Sequence, residues 1–107
     1  MIVTIFRNRL KPENLEEYYA TAARMSEIAR SMPGYVSHKT FTAEDGERVT
    51  VVEFSDEMSQ RQWSTEVRHL EAKKRGRAAF YTEYKLQVCE VIREHAFTAP
   101  AKAPQEA

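Results

Sequence analysis

Apolar residues recur along this chain in two periods, and the alternation between them predicts the order of elements. Residues 2–8 carry Ile2, Val3, Ile5 and Phe6 with only partial alternation, the pattern of a strand covered on both faces. Lys11-Pro12-Glu13-Asn14 ends it, and Pro12 with acidic Glu13, Glu16 and Glu17 suits a helix start. Leu15, Tyr18, Ala22, Met25, Ala29 and Met32 then recur at spacings of three and four, so one helical face is buried to about Ser31. Met32-Pro33-Gly34 stops that helix.

Residues 35–43 and 48–55 are rich in β-branched and aromatic types and flank Asp45-Gly46, which predicts an antiparallel hairpin. Ser55-Asp56 offers a cap for a helix through Trp63, and Ser64-Thr65 ahead of Glu66 a cap for a second helix to about Arg75. Gly76 is expected to break it. Residues 79–93 then read as a long strand, with Phe80, Thr82, Tyr84, Leu86, Val88 and Ile92 on one face and Tyr81, Glu83, Lys85, Gln87, Cys89, Val91 and Arg93 on the other. The order is βαββαβ, an α+β ferredoxin-like sandwich with an antiparallel sheet and both helices on one face. The uncovered face calls for a second subunit, packed sheet against sheet. Residues 1–97 form the expected domain, and 98–107, small, polar and proline-rich, a disordered tail.

Composition narrows the functions. With 107 residues the chain holds one core and little room for a large cofactor, and 42% hydrophobic with 30% charged residues is ordinary globular usage. Sixteen basic residues balance sixteen acidic ones, so no global field draws in nucleic acid or an anionic membrane. The opening MIVTIFRNRL is too soon interrupted by Arg7 and Arg9 for a signal or spanning segment, and the lone Cys89 forms no internal disulfide or thiolate cluster, so a cytoplasmic protein is expected.

The candidate chemistry gathers in residues 62–84, which hold the only tryptophan, His69 and an aromatic strand start. FRNRL, MPGYVSHKTFTAEDGERVTVVEF, the tryptophan followed by EVRHLEAKKRGR, and FYTEYKLQV, in this order, resemble the antibiotic biosynthesis monooxygenase family of dimeric α/β barrels. The resemblance implies a homodimer in which dioxygen reacts directly with a small phenolic or quinol-like aromatic substrate, without metal or flavin. It implies Asn8 as a polar donor, Trp63 as an aromatic wall and His69 as a base, with Phe6, Met25 and Tyr84 lining the pocket.

A haem-degrading branch of the family supplies a rival, with haem as cofactor. In that branch the iron-binding histidine follows the tryptophan by ten positions, where this chain has Lys73. A non-catalytic, small-molecule-binding stress-response dimer is a third reading. His38 is expected to face Glu53 across the hairpin, Arg77 to form an ion pair, and Cys89 to lie at a subunit interface.

Overall fold

The computed structural model describes residues 1–101, and the expected tail beyond them lies outside the described residues. Its elements are β1 (Ile2–Leu10), α1 (Leu15–Ser31), β2 (Tyr35–Thr42), β3 (Arg48–Phe54), α2 (Glu57–Ser64), α3 (Val67–Arg75), a π-helical turn (Gly76–Phe80) and β4 (Tyr81–Glu90). The strands form one antiparallel sheet in the order β2-β3-β1-β4. This is the predicted ferredoxin-like arrangement.

Even-numbered residues of β1 face the helices, and Ile2, Thr4 and Asn8 are buried there. Register carries the same face across the sheet through Phe54, Val52, Thr50 and Arg48 of β3 and Val88, Leu86 and Tyr84 of β4. The opposite face bears Val3, Ile5, Val49 and Val51 and ends in the charged pairs Arg7–Glu47 and Arg9–Asp45.

Along α1 the core divides in two. Ile28 and Ala29 meet Phe54 and Trp63 at one end, while Tyr18 meets Ala79 and Phe80 at the other. The hydrophobic drive behind both is ordinary, but they are separate clusters.

Three local expectations are corrected. Gly76 does not break the chain: it adopts a right-handed helical conformation and α3 runs on into the π turn. A side chain at that glycine would meet Tyr81, with a Cβ only 2.6 Å from the ring, so its smallness serves packing and not termination. The cap of α3 is Glu66, whose carboxylate accepts from the His69 N–H at 3.1 Å, instead of Ser64-Thr65.

The last strand begins at Tyr81 and ends at Glu90, and Ile92 beyond it is exposed. Its register also slips. Arg9 lies opposite Glu83 but Leu10 opposite Tyr81, and the extra residue at this bulge returns Tyr81 to the helix side. Residues 98–101 have no regular structure and are exposed.

Candidate functional site

Trp63 and His69 meet because α2 ends at Ser64 and α3 starts afresh at Val67. Six residues along one continuous helix would point them in different directions. With the bend, the rings stack with centroids 3.9 Å apart and planes 12° from parallel. The His69 Nδ1 lies 3.0 Å from the Trp63 carbonyl oxygen, which only accepts, so Nδ1 carries the proton and Nε2 the lone pair.

Burial pushes the His69 imidazolium pKa down to about 4, with Lys73 adding to that and the Trp63 carbonyl opposing it. At neutral pH the ring is uncharged. Trp63 itself is buried against Ile28, Ala29 and Phe54, with Met25 packed on the group. Lys73 donates to the Ser64 carbonyl at 2.8 Å and to its hydroxyl at 3.0 Å, closing the C-terminal end of α2. The His69 Nδ1–H and the Lys73 ammonium are thus both engaged with backbone carbonyls of this corner.

Asn8 lies elsewhere. Phe54, beside Trp63, pairs with Ile2, and Asn8 is six residues or roughly 20 Å farther along β1. It is 2% exposed, and its Oδ1 is buried without a hydrogen-bond partner. Its neighbour across β3 on the same face is Arg48, whose Nε is the other buried side-chain atom without a partner among the described residues. The Arg48 guanidinium lies 5.5 Å from the Tyr18 ring and 5.7 Å from that of Tyr19, and it takes part in no ion pair among the described residues. Across β4 from Asn8 is Tyr84.

Aromatic rings surround this polar pair. Phe6 sits 5.5 Å from Tyr81 and 5.6 Å from Tyr84, and Tyr18 is 6.0 Å from Tyr81. Burial first, then the adjacent Tyr18 phenol, hold the Tyr81 hydroxyl firmly protonated.

The helices pack over β2 and β3 and leave β4 bare on the same side. Tyr84, Leu86 and Val88 are consequently 44%, 44% and 50% exposed although they face the helices. With Phe6 they floor a trough along β1 and β4, running from Asn8 and Arg48 toward a hollow of about 370 Å³ lined by Ile2, Val88, Asp56, Glu57 and Glu90. Arg48 stands at one end of the trough, and Asp56, Glu57 and Glu90, with the Met1 N-terminus, at the other. A second hollow, of about 540 Å³, opens at Asn14, Ala79 and Thr82.

The expected site residues thus divide. Asn8, Phe6 and Tyr84 share the trough; Trp63, His69 and Met25 belong to the packed corner. Sequence reasoning missed Arg48 and Tyr18, and it put Tyr81 on the wrong face because a bulge leaves no signature in alternation. His38 does not face Glu53. It pairs with Val52, and its ring joins the Tyr35 hydroxyl at 2.6 Å and the Ser26 hydroxyl at 3.0 Å, while Glu53 is opposite Ser37 on the other face. The ion pair near the turn is made by Arg75 with Glu17, at 2.6 Å, instead of by Arg77. Among the described residues no three His, Cys, Asp or Glu side chains form a metal-binding group, and no helix is long and apolar enough to cross a membrane.

Comparison with known proteins gives a consistent family. The profile of antibiotic biosynthesis monooxygenases matches residues 1–75. An uncharacterised Bacillus subtilis protein, YqjZ, is 31% identical over 88 residues, which is 82% of this chain and 77% of that protein. Among solved structures, Rv0793 from Mycobacterium tuberculosis superposes with a TM-score of 0.77 at 16% identity, covering 89% of this chain and 98% of that one. SnoaB from Streptomyces nogalater, described as a cofactor-independent oxygenase, gives 0.72 at 17% identity, covering 87% of this chain and 94% of that one. At such identities the structural likeness speaks for the fold.

Proposed function

This chain belongs to the antibiotic biosynthesis monooxygenase family, and from that premise we propose that it is a cofactor-independent monooxygenase of a small phenolic or quinol-like aromatic compound. The observation that carries the reading is the buried, unpartnered Oδ1 of Asn8 at the head of an aromatic trough. A buried acceptor left empty costs the fold roughly 1–3 kcal/mol, a cost that a ligand hydroxyl removes.

In such a reaction the substrate is the reductant. It gives up four electrons, one oxygen atom joins the ring, and the other leaves as water with two substrate hydrogens. What the chain contributes is a surface on which the ring lies flat, against Phe6 and Tyr84, and an acceptor for the phenolic hydrogen, Asn8.

His69 is a poor base for this task. Its conjugate acid near 4 compares with a phenol near 10, so accepting that proton is uphill by about 8 kcal/mol. We assign His69, Trp63 and Met25 to holding the far end of α1 on the sheet.

Haem fits this corner poorly. The position ten after Trp63, where the haem-degrading branch carries its iron-binding histidine, holds Lys73, engaged with Ser64. A homodimer joined through the helix-free sheet faces is proposed on the strength of Val3, Ile5, Val49 and Val51 clustering there with half-exposed Phe41. Cys89 shares that face, opposite Val3.

Oxygen uptake with a panel of hydroquinones and anthrone-type compounds, in protein stripped of metal and flavin, is the test. Enzyme-dependent uptake with one-to-one formation of an oxygenated product is expected. Silence across the panel would favour a non-catalytic binding dimer, and a saturable Soret band on haem titration would favour the haem reading.

A further inference from the structure

Arg48 is the residue that the oxygenase reading leaves without a task. Its guanidinium is always charged, and it is half-buried under Tyr18 and Tyr19 with no carboxylate beside it among the described residues. Other arginines of the sheet are matched: Arg7 is held by Glu47 at 2.8 Å and Arg9 by Asp45 at 2.8 Å. At Arg48 the fold instead supplies aromatic faces and leaves the Nε–H, a buried donor, empty.

The empty donor sits directly across the strand pair from the empty acceptor of Asn8. Cross-strand neighbours on one face begin about 5 Å apart, so one small molecule spans both. A buried cationic donor next to a buried neutral acceptor is complementary to an anionic oxygen next to a hydroxyl.

We propose that the Asn8–Arg48 end of the trough binds an aromatic compound bearing a hydroxyl adjacent to an anionic oxygen. This rests on the trough being the substrate site and deepens that reading by fixing the substrate class. The anionic oxygen accepts from the Arg48 Nε–H, and the neighbouring hydroxyl donates to the Asn8 Oδ1. The ring then extends over Phe6 and Tyr84, which flank Asn8 along and across the strands.

Two ligand types share this chemistry: an ortho-hydroxybenzoate, with a carboxylate, and a catechol, with an ionised hydroxyl. Calorimetric titration under nitrogen with salicylate, benzoate, catechol and phenol, at pH 7 and at pH 9.5, separates them. Saturable salicylate binding of similar strength at both pH values identifies the carboxylate; catechol binding that tightens at pH 9.5 identifies the ionised hydroxyl. In either case the analogue lacking the second group, benzoate or phenol, binds at least tenfold more weakly, and Arg48→Met weakens the preferred ligand at least tenfold.

In unsubstituted protein the Arg48 Nε–H resonance moves on saturation, a readout that survives any folding defect of the variant. If neither ligand bound at millimolar concentration, or if binding left that resonance unmoved, the proposal would fail. Because no oxygen is present, the outcomes remain separable: oxygen uptake without this binding sinks the ligand class alone, and binding without oxygen uptake sinks the oxygenase reading alone.

Discussion

The two ends of the helix–sheet interface are built from similar residues and reach opposite conditions. At the Trp63 end, the imidazole Nδ1–H and the Lys73 ammonium are taken up by two backbone carbonyls, and the indole and imidazole rings close face to face at 3.9 Å. At the Asn8 end, a buried carboxamide oxygen and a guanidinium Nε–H on cross-strand neighbours both lack a partner, beside a trough the helices leave open. A fold tolerates such orphans at a cost in stability. The first end thus reads as structure and the second as a site awaiting a ligand, although residue type alone made Trp63 and His69 the more eye-catching pair.

Breaking the packed end should produce the largest loss. Trp63→Ala removes the ring on which Phe54, Ile28 and His69 pack, and denaturant titration should show a loss of about 3–5 kcal/mol. A loss under 1 kcal/mol would mean that this corner is not a core.

The same corner predicts an acid limit. His69 has a folded pKa of about 4, below its unfolded value of about 6.5, so the unfolded chain binds the proton first. Its penalty is absent above pH 6.5, grows as pH falls from there toward 4, and reaches about 3 kcal/mol. A series of denaturation curves between pH 7.5 and 4 should show that decline, and His69→Gln should flatten it.

At the open end the ordering reverses. Asn8→Leu should change stability by no more than about 1 kcal/mol, or raise it, because an unpartnered polar atom leaves the interior. Turnover should fall by about tenfold to a hundredfold, which corresponds to roughly 1.4–2.7 kcal/mol. The smallest effect sharpens the role of the bulge: Gly76→Ala, favourable for a helix in isolation, should instead cost about 1–2 kcal/mol as its Cβ presses on Tyr81.

The sheet and its order were legible because strand and helix periods differ and because Asp45-Gly46 and Pro33-Gly34 mark turns that only a few residues support. The chain's right-handed passage through Gly76 was not, since a glycine before an aromatic strand signals a stop equally well. Asn8, Phe6 and Tyr84 came with the family resemblance, in one set with Trp63, His69 and Met25, and only the strand register separates the two groups. Arg48 was invisible: in the sequence it is one of several arginines near acidic neighbours. Only the register reveals that Glu47 is taken by Arg7 and that Arg48 turns to the other face, toward Asn8.

The central claim is that the chemistry belongs to the Asn8 end and that His69 serves the fold. Oxygen uptake at pH 7.5 with the best quinol, measured in parallel for Asn8→Leu and His69→Gln, addresses it directly. The account predicts that Asn8→Leu loses most of its turnover while His69→Gln keeps most of it. Undiminished turnover in Asn8→Leu together with a silent, well-folded His69→Gln would contradict it.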